Sequence, residues 1–455
     1  MTRIDPAMGA LPRLPAWGDV PGMHRLPGMR IIRVPRDLES VTTIGHEDAP
    51  ADGGLTRDAV ERMWAAVASL YRSGVHPGLQ MCVRRHGAVV LNRSIGHASG
   101  NGPGRDPSPL RAMTPDTPVF TSSASKGVTA FVVLMLHERG LLDIFEPAAS
   151  YVPEFGAHGK DAITIAHLLA HRSGLPELPR SAWPDRLASW EERIAVLSGL
   201  APEWEAGEHL AYRAVSAGYI LGEVVRRATG RDIREVLAGE ILDPLGFRWT
   251  SYGVAAADVD LVARSYLTGP TTPAHWHIAR AFGAPTSDVV DLSNDPVGLT
   301  GVVPSGNVVS TADELSRFYE IFRRGGSLDG HRVMSPSTIR LALTPTSGLE
   351  RDRALLIPLR YGYGPMLGAS RRSIFGPDTA TAFGHLGFTV NLAWADPRRA
   401  TSAALLSNGR PLVGPGLLPW LRAISSVAKV CPKVPHSQRP AWARRHGPVA
   451  DERIA

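Results

Sequence analysis

The hydrophobic and polar positions in the first third of the chain repeat with two different periods. Residues 56–71 place apolar side chains at helical spacing behind a threonine, which predicts a capped amphipathic helix. Strand-like runs at 79–85 and 88–95 are joined by a His-Gly pair, and this arrangement predicts a β-hairpin. An unbroken apolar run at 130–136 predicts a buried helix.

The second half of the chain also contains segments with helical and with strand-like patterns of apolar residues. Residues 311–326 begin with a Thr-x-x-Glu capping box and end in two glycines, so they predict a helix. Ser335-Pro336 opens another helix. Residues 388–395 and 401–406 are strand-like, and a last helix is expected over 417–430.

Strands are thus predicted near both ends of the chain, with helices between them. This order indicates an α+β fold, an antiparallel sheet flanked by helices and interrupted by an inserted, mostly helical domain. We predict an α/β sheet domain at 55–160 plus 295–430 and the inserted domain at 161–294. Residues 1–54 are expected to be an irregular N-terminal extension, and residues 431–455 a disordered tail rich in Pro, Arg and His.

Two stretches of the inserted domain allow more than one interpretation. His167 and His171 lie at i and i+4, a spacing compatible with a metal, but the glutamate of a zinc-protease helix is missing after His167. Packing histidines are the favoured interpretation. Residues 251–300 have little periodicity and many Pro, Thr, Ser and Gly residues. Long irregular segments in compact proteins tend to be functional, so this stretch is a candidate wall of a substrate pocket.

Composition excludes several classes of protein. The net charge is +6 without a block of basic residues, so no nucleic-acid partner is expected. The two cysteines, Cys82 and Cys431, predict neither a disulfide framework nor a metal site. No stretch approaches the ~18 apolar residues of a membrane span, and the N-terminus lacks the apolar core of a secretory signal. The expectation is a cytoplasmic protein, and peripheral association with the cell envelope stays open.

One Ser-x-x-Lys sequence combines two groups that hydrolytic chemistry uses. Ser123 and Lys126 follow a turn at 114–118 and start the apolar helix, so their side chains share a helix face. A serine hydroxyl needs a base, and a lysine becomes one when burial lowers its pKa. The free N–H groups of a first helical turn also favour negative charge that forms there. The chain has four lysines and otherwise uses arginine, which cannot lose its proton.

The same short sequence recurs at 426–429, where it indicates only a solvated helix, so further partners are needed. Tyr212 offers a phenol that would shuttle a proton to a leaving group; an aromatic packed in the core is the alternative. The stretch 384–388 enters a predicted strand between glycines, where a substrate can approach the backbone. Its N–H groups, with that of Ser123, would form an oxyanion hole; the alternative is a simple turn.

Taken in order, these stretches resemble the serine β-lactamase and penicillin-binding-protein superfamily, and most closely class C β-lactamases and the related family VIII carboxylesterases. The resemblance spans roughly residues 57–410. Residues 163–176, ITIAHLLAHRSGLP, are similar to the family's ITIRHLLTHTSGLP, and residues 244–247, PLGF, resemble its PLGM. Residues 384–396 resemble its GHTGF…ADP strand. The resemblance implies a β-lactamase/DD-peptidase-like fold.

It also implies a role for each matching residue. Ser123 matches the acylated nucleophile, Lys126 its activating partner and Tyr212 the tyrosine of the second motif. The third motif, usually Lys-Thr-Gly but often His-x-Gly in the esterases, is matched by His385 and Gly387, and Phe388 would lend the second oxyanion N–H. No metal or cofactor is implied, and the implied partner is a small ester substrate.

Two departures from the family pattern narrow the expected activity. Ala214 stands where the second motif commonly has an asparagine that contacts a β-lactam amide, and His385 replaces a lysine. Both changes favour an esterase or lipase that works through an acyl-enzyme. A β-lactamase or D-Ala-D-Ala carboxypeptidase and a non-catalytic binding protein on the same fold remain the alternatives. No Gly-x-Ser-x-Gly sequence occurs, so an α/β-hydrolase nucleophile elbow is not available.

Overall fold

The structure is a computed structural model that describes residues 28–183, 189–272, 274–371, 373–412 and 414–444. Its strands are β1 Met29–Arg30, β2 Thr42–Ile44, β3 Gly78–Arg85, β4 Ala88–Ser99, β5 Arg111–Ala112, β6 Val119–Phe120, β7 Ser251–Tyr252, β8 Tyr266–Pro270, β9 Val308–Ser310, β10 Ser327–Leu328, β11 His331–Arg332, β12 Glu350–Arg351, β13 Pro358–Leu359, β14 Met366–Leu367, β15 Phe383–Leu386, β16 Leu392–Asp396, β17 Thr401–Ser407 and β18 Gly409–Pro411.

The α-helices surround these strands and fill the middle of the chain. They are α1 Arg57–Tyr71, α2 Ser125–Glu138, α3 Ile165–Leu169, α4 Trp190–Gly199, α5 Ser216–Thr229, α6 Ile233–Leu237, α7 Ala274–Phe282, α8 Thr286–Leu292, α9 Pro296–Thr300, α10 Ala312–Arg323, α11 Pro336–Ala342, α12 Leu417–Val430 and α13 Ala441–Arg444.

The central sheet is antiparallel and has the strand order β14-β15-β16-β17-β3-β4-β2, with β5 added beside β4. Strands from the two ends of the chain meet where β17 pairs with β3. The predicted hairpin is β3–β4, and it turns at His86 and Gly87, both with positive φ. The α+β fold with an antiparallel sheet is therefore confirmed.

Alternate residues of each strand enter different cores, because successive side chains of a strand point to opposite faces. On β17, Ala403 and Leu405 pack with α1 and α12, whereas Ala404 and Leu406 pack in the larger core that contains α2 and α10. In that second core Phe131 of α2 stacks on Phe322 of α10, with ring centroids 3.6 Å apart. Helix α2 is thus buried along its length, which fixes the residues at its N-terminus.

Two sequence predictions need correction in detail. The predicted strand at 388–395 begins only at Leu392, and residues 387–391 form a loop between β15 and β16. Half of the predicted capping box on α10 is present: Thr311 accepts the N–H of Glu314. The Glu314 carboxylate instead accepts backbone N–H groups from Arg248, Trp249 and Thr250, a distant segment that the local pattern does not reveal.

The two ends of the chain also differ from expectation where the structure describes them. Residues 42–44 of the extension form β2, the edge strand beside β4, and residues 29–30 pair with β8. The expected disorder is wrong for residues 431–444, because Trp442 is buried against Phe383 with ring centroids 6.5 Å apart. The parts of these predictions that fall on residues 1–27 and 445–455 lie outside the described residues.

The inserted segment contains helices α3 to α6 up to residue 237, and a non-helical stretch at 200–215 separates α4 from α5. The aperiodic stretch 251–300 also holds three short helices, α7, α8 and α9, whose apolar faces are too short to give a clear period. Throughout the described part of the chain, every helix is either too short or too polar to cross a membrane.

Candidate active site

The Ser-x-x-Lys sequence lies where β6 turns into α2. Ser123 sits in a single 3-10 turn, Ser122–Ala124, and α2 begins two residues later. Ser122 has φ of +54°, a left-handed conformation that costs a non-glycine residue energy and occurs preferentially at functional sites. The turn thereby holds Ser123 at the start of the helix, where the residue is 8% exposed.

Two buried side chains hold the strand that leads into this turn. The Arg410 guanidinium donates to the Phe120 carbonyl at 2.7 Å, and the Asn391 amide donates to the same oxygen at 3.1 Å. The other end of the Asn391 amide accepts the N–H of Ser407 on β17. The turn is thus attached to the central sheet by polar contacts as well as by packing.

Lys126 lies one helical turn beyond Ser123 and is buried. Its Nζ is 3.3 Å from Ser123 Oγ, 2.6 Å from the Ala214 carbonyl oxygen and 3.0 Å from the Ser305 carbonyl oxygen. Burial lowers the pKa of Lys126 to about 7 by disfavouring the ammonium form, against a smaller opposing effect of Glu177. A neutral amine here donates its two hydrogens to the two carbonyls and keeps its lone pair for the Ser123 hydroxyl.

Tyr212 completes the polar cluster from the inserted segment. Its hydroxyl donates to Ser123 Oγ at 2.5 Å, and Lys126 Nζ lies 4.7 Å from the centroid of its ring. Desolvation raises the pKa of the Tyr212 phenol, so the group keeps its proton at neutral pH. The structure therefore brings both Lys126 and Tyr212 within hydrogen-bonding reach of Ser123 Oγ.

Residues that the sequence analysis did not assign to the site hold Tyr212 in place. The Asp352 carboxylate accepts the Tyr212 N–H at 2.8 Å and also accepts the N–H groups of Ala354 and Leu355. The His171 ring packs on the Tyr212 ring at 4.8 Å between centroids, and His171 Nδ1 accepts the backbone N–H of Arg213 at 3.3 Å. His171 is thus a packing histidine, as favoured from the sequence, but it packs on a site residue.

His167, the other histidine of the pair, caps helix α3. His167 Nδ1 accepts the Thr164 N–H, and the Thr164 hydroxyl accepts the His167 N–H in return, which caps α3. Among the described residues, no group of His, Cys, Asp and Glu side chains has the arrangement that holds a metal ion.

The third stretch, 384–388, approaches the nucleophile through its glycine. A Cβ on Gly387 would lie 2.1 Å from the Thr121 carbonyl oxygen, so only glycine permits this contact. His385 is fully buried, its Nδ1 is 2.9 Å from the Leu386 carbonyl oxygen, and desolvation lowers its pKa to about 3. Its part in substrate binding, and that of the Phe388 N–H in an oxyanion hole, stay predictions.

An apolar wall adjoins the cluster. The buried residues Tyr212, Ala214, Phe282, Val290 and Phe388 pack together, with Ile278 and Leu355 partly buried against them. The Phe282 and Phe388 rings meet at 5.2 Å between centroids, almost perpendicular to each other. Helices α7 and α8 thus supply apolar side chains next to Tyr212 and Phe388 from the stretch 251–300.

An antiparallel sheet with a Ser-x-x-Lys pair at the start of a buried helix defines the class of serine β-lactamase and penicillin-binding-protein folds. The family model described as Beta-lactamase matches residues 57–425, and the chain belongs to this family. The resemblance drawn from the sequence motifs is thereby confirmed.

Known proteins show where in the family the similarity lies. The chain is 29% identical over 311 residues to the "Esterase/beta-lactamase LipL" of Mycobacterium tuberculosis, covering 64% of this chain and 70% of that protein. A family VIII carboxylesterase structure superimposes with a TM-score of 0.69 at 25% identity, covering 82% and 98% of the two chains. A penicillin-binding-protein homologue from Caulobacter crescentus gives 0.68 at 27% identity, covering 83% and 99%.

Proposed function

We propose that this protein is a serine hydrolase that cleaves small or medium carboxylic esters through an acyl-enzyme. The observation that carries the proposal is the hydrogen-bonded cluster of Ser123, Lys126 and Tyr212 beside an apolar wall. The names of the relatives support the same class, since an esterase/β-lactamase and a family VIII carboxylesterase are among them.

Acylation begins with Lys126 in its neutral form. The Ser123 oxygen attacks the ester carbonyl carbon while its proton moves to Lys126 Nζ, the role of a general base. Backbone N–H groups at Ser123 and Phe388 stabilise the oxyanion of the tetrahedral intermediate. The bond between the carbonyl carbon and the alcohol oxygen then breaks, and the alcohol oxygen takes the proton of the Tyr212 phenol. The Lys126 ammonium gives its extra proton to Tyr212, which restores the phenol and the neutral amine.

Deacylation runs through the same groups in reverse. A water oxygen attacks the acyl carbonyl and gives its proton to Lys126 through Tyr212. The bond to Ser123 breaks, and Ser123 Oγ recovers a proton as the acid leaves. The retained phenol proton of Tyr212 and the lowered pKa of Lys126, about 7, support Lys126 rather than a Tyr212 phenolate as the base.

The proposal is tested with a panel of p-nitrophenyl esters of increasing acyl length alongside nitrocefin. We expect turnover of the esters and a Ser123 adduct with a fluorophosphonate probe, detectable by mass spectrometry. Nitrocefin turnover comparable to ester turnover would favour a β-lactamase or D-Ala-D-Ala carboxypeptidase on the same fold. An intact protein that turns over none of these substrates and never labels at Ser123 would favour a binding protein.

A further inference from the structure

Helix α5 directly follows the Tyr212 segment, and its first N–H groups need acceptors. The residue at its N-cap position is Val215, which has no side-chain acceptor. The Glu177 carboxylate, from the turn after α3, takes this place and accepts the N–H groups of Val215 and Ser216 at 3.0 Å each. It also accepts the N–H of Ala214. Burial raises the pKa of the Glu177 carboxyl, whereas these N–H groups and the helix dipole favour its charged form.

The same contacts connect Glu177 to the site. Ala214 gives its N–H to the Glu177 carboxylate, while its carbonyl oxygen accepts from Lys126 Nζ at 2.6 Å. A single residue, two positions after Tyr212, therefore lies between the carboxylate and the amine. Ala214 thus supplies an acceptor of Lys126 and belongs to the segment 212–216 that carries the Tyr212 phenol.

We propose that Glu177 is a positioning residue of the catalytic cluster: its carboxylate holds the segment 212–216 in place and supplies the negative charge that Lys126 faces. The inference rests on the proposed function and extends it, because it names a charge that, against the larger effect of burial, adjusts how readily Lys126 becomes a base. No motif of the sequence indicated Glu177, since its contacts are made with residues 37 to 39 positions away.

The other titratable groups around Lys126 leave this charge to Glu177. Burial lowers the pKa of His385 to about 3 and that of His171 well below its usual value, so both rings are neutral. Burial raises the pKa of the Tyr212 phenol, which is neutral as well. Two further charged groups nearby have partners of their own: Arg213 pairs with Glu203, and Asp352 accepts the backbone N–H groups of Tyr212, Ala354 and Leu355.

The sign of the effect follows from electrostatics. A negative charge near an ammonium group favours the charged form and raises its pKa, and Glu177 acts on Lys126 in this direction against desolvation. Removing the charge favours the neutral amine, so the pH above which Lys126 is a base moves down. The loss of one nearby unit charge shifts such a pKa by about one unit.

The test compares Glu177→Gln with the wild-type protein in ester hydrolysis between pH 5 and 9. The glutamine keeps the shape and one carbonyl acceptor but loses the charge. We expect the acid limb of kcat/KM to move to lower pH by about one unit, with a fall in kcat at the plateau of about tenfold as the segment loosens. Glu177→Asp, which keeps the charge at shorter reach, should lower the plateau without moving the limb.

Glu314→Gln is the matched control. The Glu314 carboxylate also accepts three backbone N–H groups from a distant segment, but that segment, 248–250, is not part of the cluster. Glu314→Gln should lower thermal stability about as much as Glu177→Gln does. It should leave the acid limb of kcat/KM where it is in wild type. A limb in Glu177→Gln that coincides with that of wild type would reduce Glu177 to a helix cap and overturn the inference, while ester turnover by wild type upholds the proposed function.

A direct titration keeps the inference testable whatever the variant does to the rate. The chain has four lysines, so the protein labelled with ¹³Cε-lysine gives few signals, and Lys126 is assigned by its loss in Lys126→Arg. We expect the pH midpoint of the Lys126 titration to be lower in Glu177→Gln than in wild type, and to be unchanged in Glu177→Asp. An unchanged midpoint in folded Glu177→Gln would also overturn the inference. Absence of any Ser123-dependent turnover in wild type would overturn the proposed function and the inference with it.

Discussion

The chain contains the sequence Ser-x-x-Lys at two places, and the structure puts them in opposite surroundings. At 123–126 both side chains are buried, and a phenol and two carbonyl oxygens complete the cluster. At 426–429 the pair lies on α12, where Ser426 Oγ donates to the Ala423 carbonyl oxygen at 2.6 Å and Lys429 is exposed. Helical spacing brings serine and lysine to one face in both cases.

The difference between the two pairs shows what spacing alone leaves out. An exposed ammonium is solvated and stays charged, and a serine that donates to its own helix is no nucleophile. Burial of the first pair lowers the pKa of Lys126 to about 7 and brings in Tyr212. Chemistry at this site therefore comes from tertiary contacts made around a local pattern, and each prediction below tests one of those contacts.

The largest effect is expected from removing the nucleophile. Ser123→Ala deletes the oxygen that forms the acyl-enzyme, so hydrolysis of p-nitrophenyl esters should fall by about 10⁴-fold or to background. Ser426→Ala deletes the same group in the second pair and should leave kcat/KM unchanged, with a change in unfolding free energy below about 0.5 kcal/mol. Full activity of Ser123→Ala, or loss of activity in Ser426→Ala, would reverse the assignment.

The next effect separates a base from a positive charge. Lys126→Arg keeps a cation but cannot deprotonate, so kcat should fall by about 10³-fold at every pH from 6 to 9. Lys429→Arg makes the same exchange on the exposed pair and should have no effect. Steady-state kinetics and circular dichroism on both variants distinguish a lost base from a lost fold. Activity of Lys126→Arg within tenfold of wild type would exclude proton transfer to Lys126.

Part of this site was predictable from the sequence, and part was not. Ser123 and Lys126 follow from a local pattern before an apolar helix, and the hairpin β3–β4 and helices α1 and α12 also have clear periods. Asp352 and Glu177 were missed because each acts on a segment far along the chain, through backbone N–H groups that every residue offers.

Longer-range contacts also explain the other misses. Residues 274–300 form helices of nine, seven and five residues, too short for a reliable hydrophobic period. Strand β2 in the extension has three residues and exists because β4 offers it an edge. The fold class followed from the order of the longer elements, whereas the groups that support Tyr212 and Lys126 required the folded chain.

A smaller effect is expected from the partner that the second Ser-x-x-Lys pair does not have. Tyr212→Phe keeps the ring between His171 and the apolar wall but removes the hydroxyl that donates to Ser123. Proton delivery to the leaving group should weaken, and kcat should fall by about 10²-fold. The fall should be larger for esters with a basic leaving alcohol than for p-nitrophenyl esters. Equal falls for both would mean that Tyr212 only orients Ser123.

The mildest test leaves the sequence intact and varies pH. The pKa of Lys126 is lowered to about 7 by burial, and the proposed mechanism needs the neutral amine. Below pH 7 the ammonium form dominates, so kcat/KM should fall about tenfold for each pH unit, and above pH 7 it should level off. Tyr212 adds no limb near neutrality, since burial raises its pKa. A basic limb at pH 7 to 8 instead of an acid one would mean that charged Lys126 is the active form. In that case the second Ser-x-x-Lys pair would differ from the first by its neighbours rather than by its protonation.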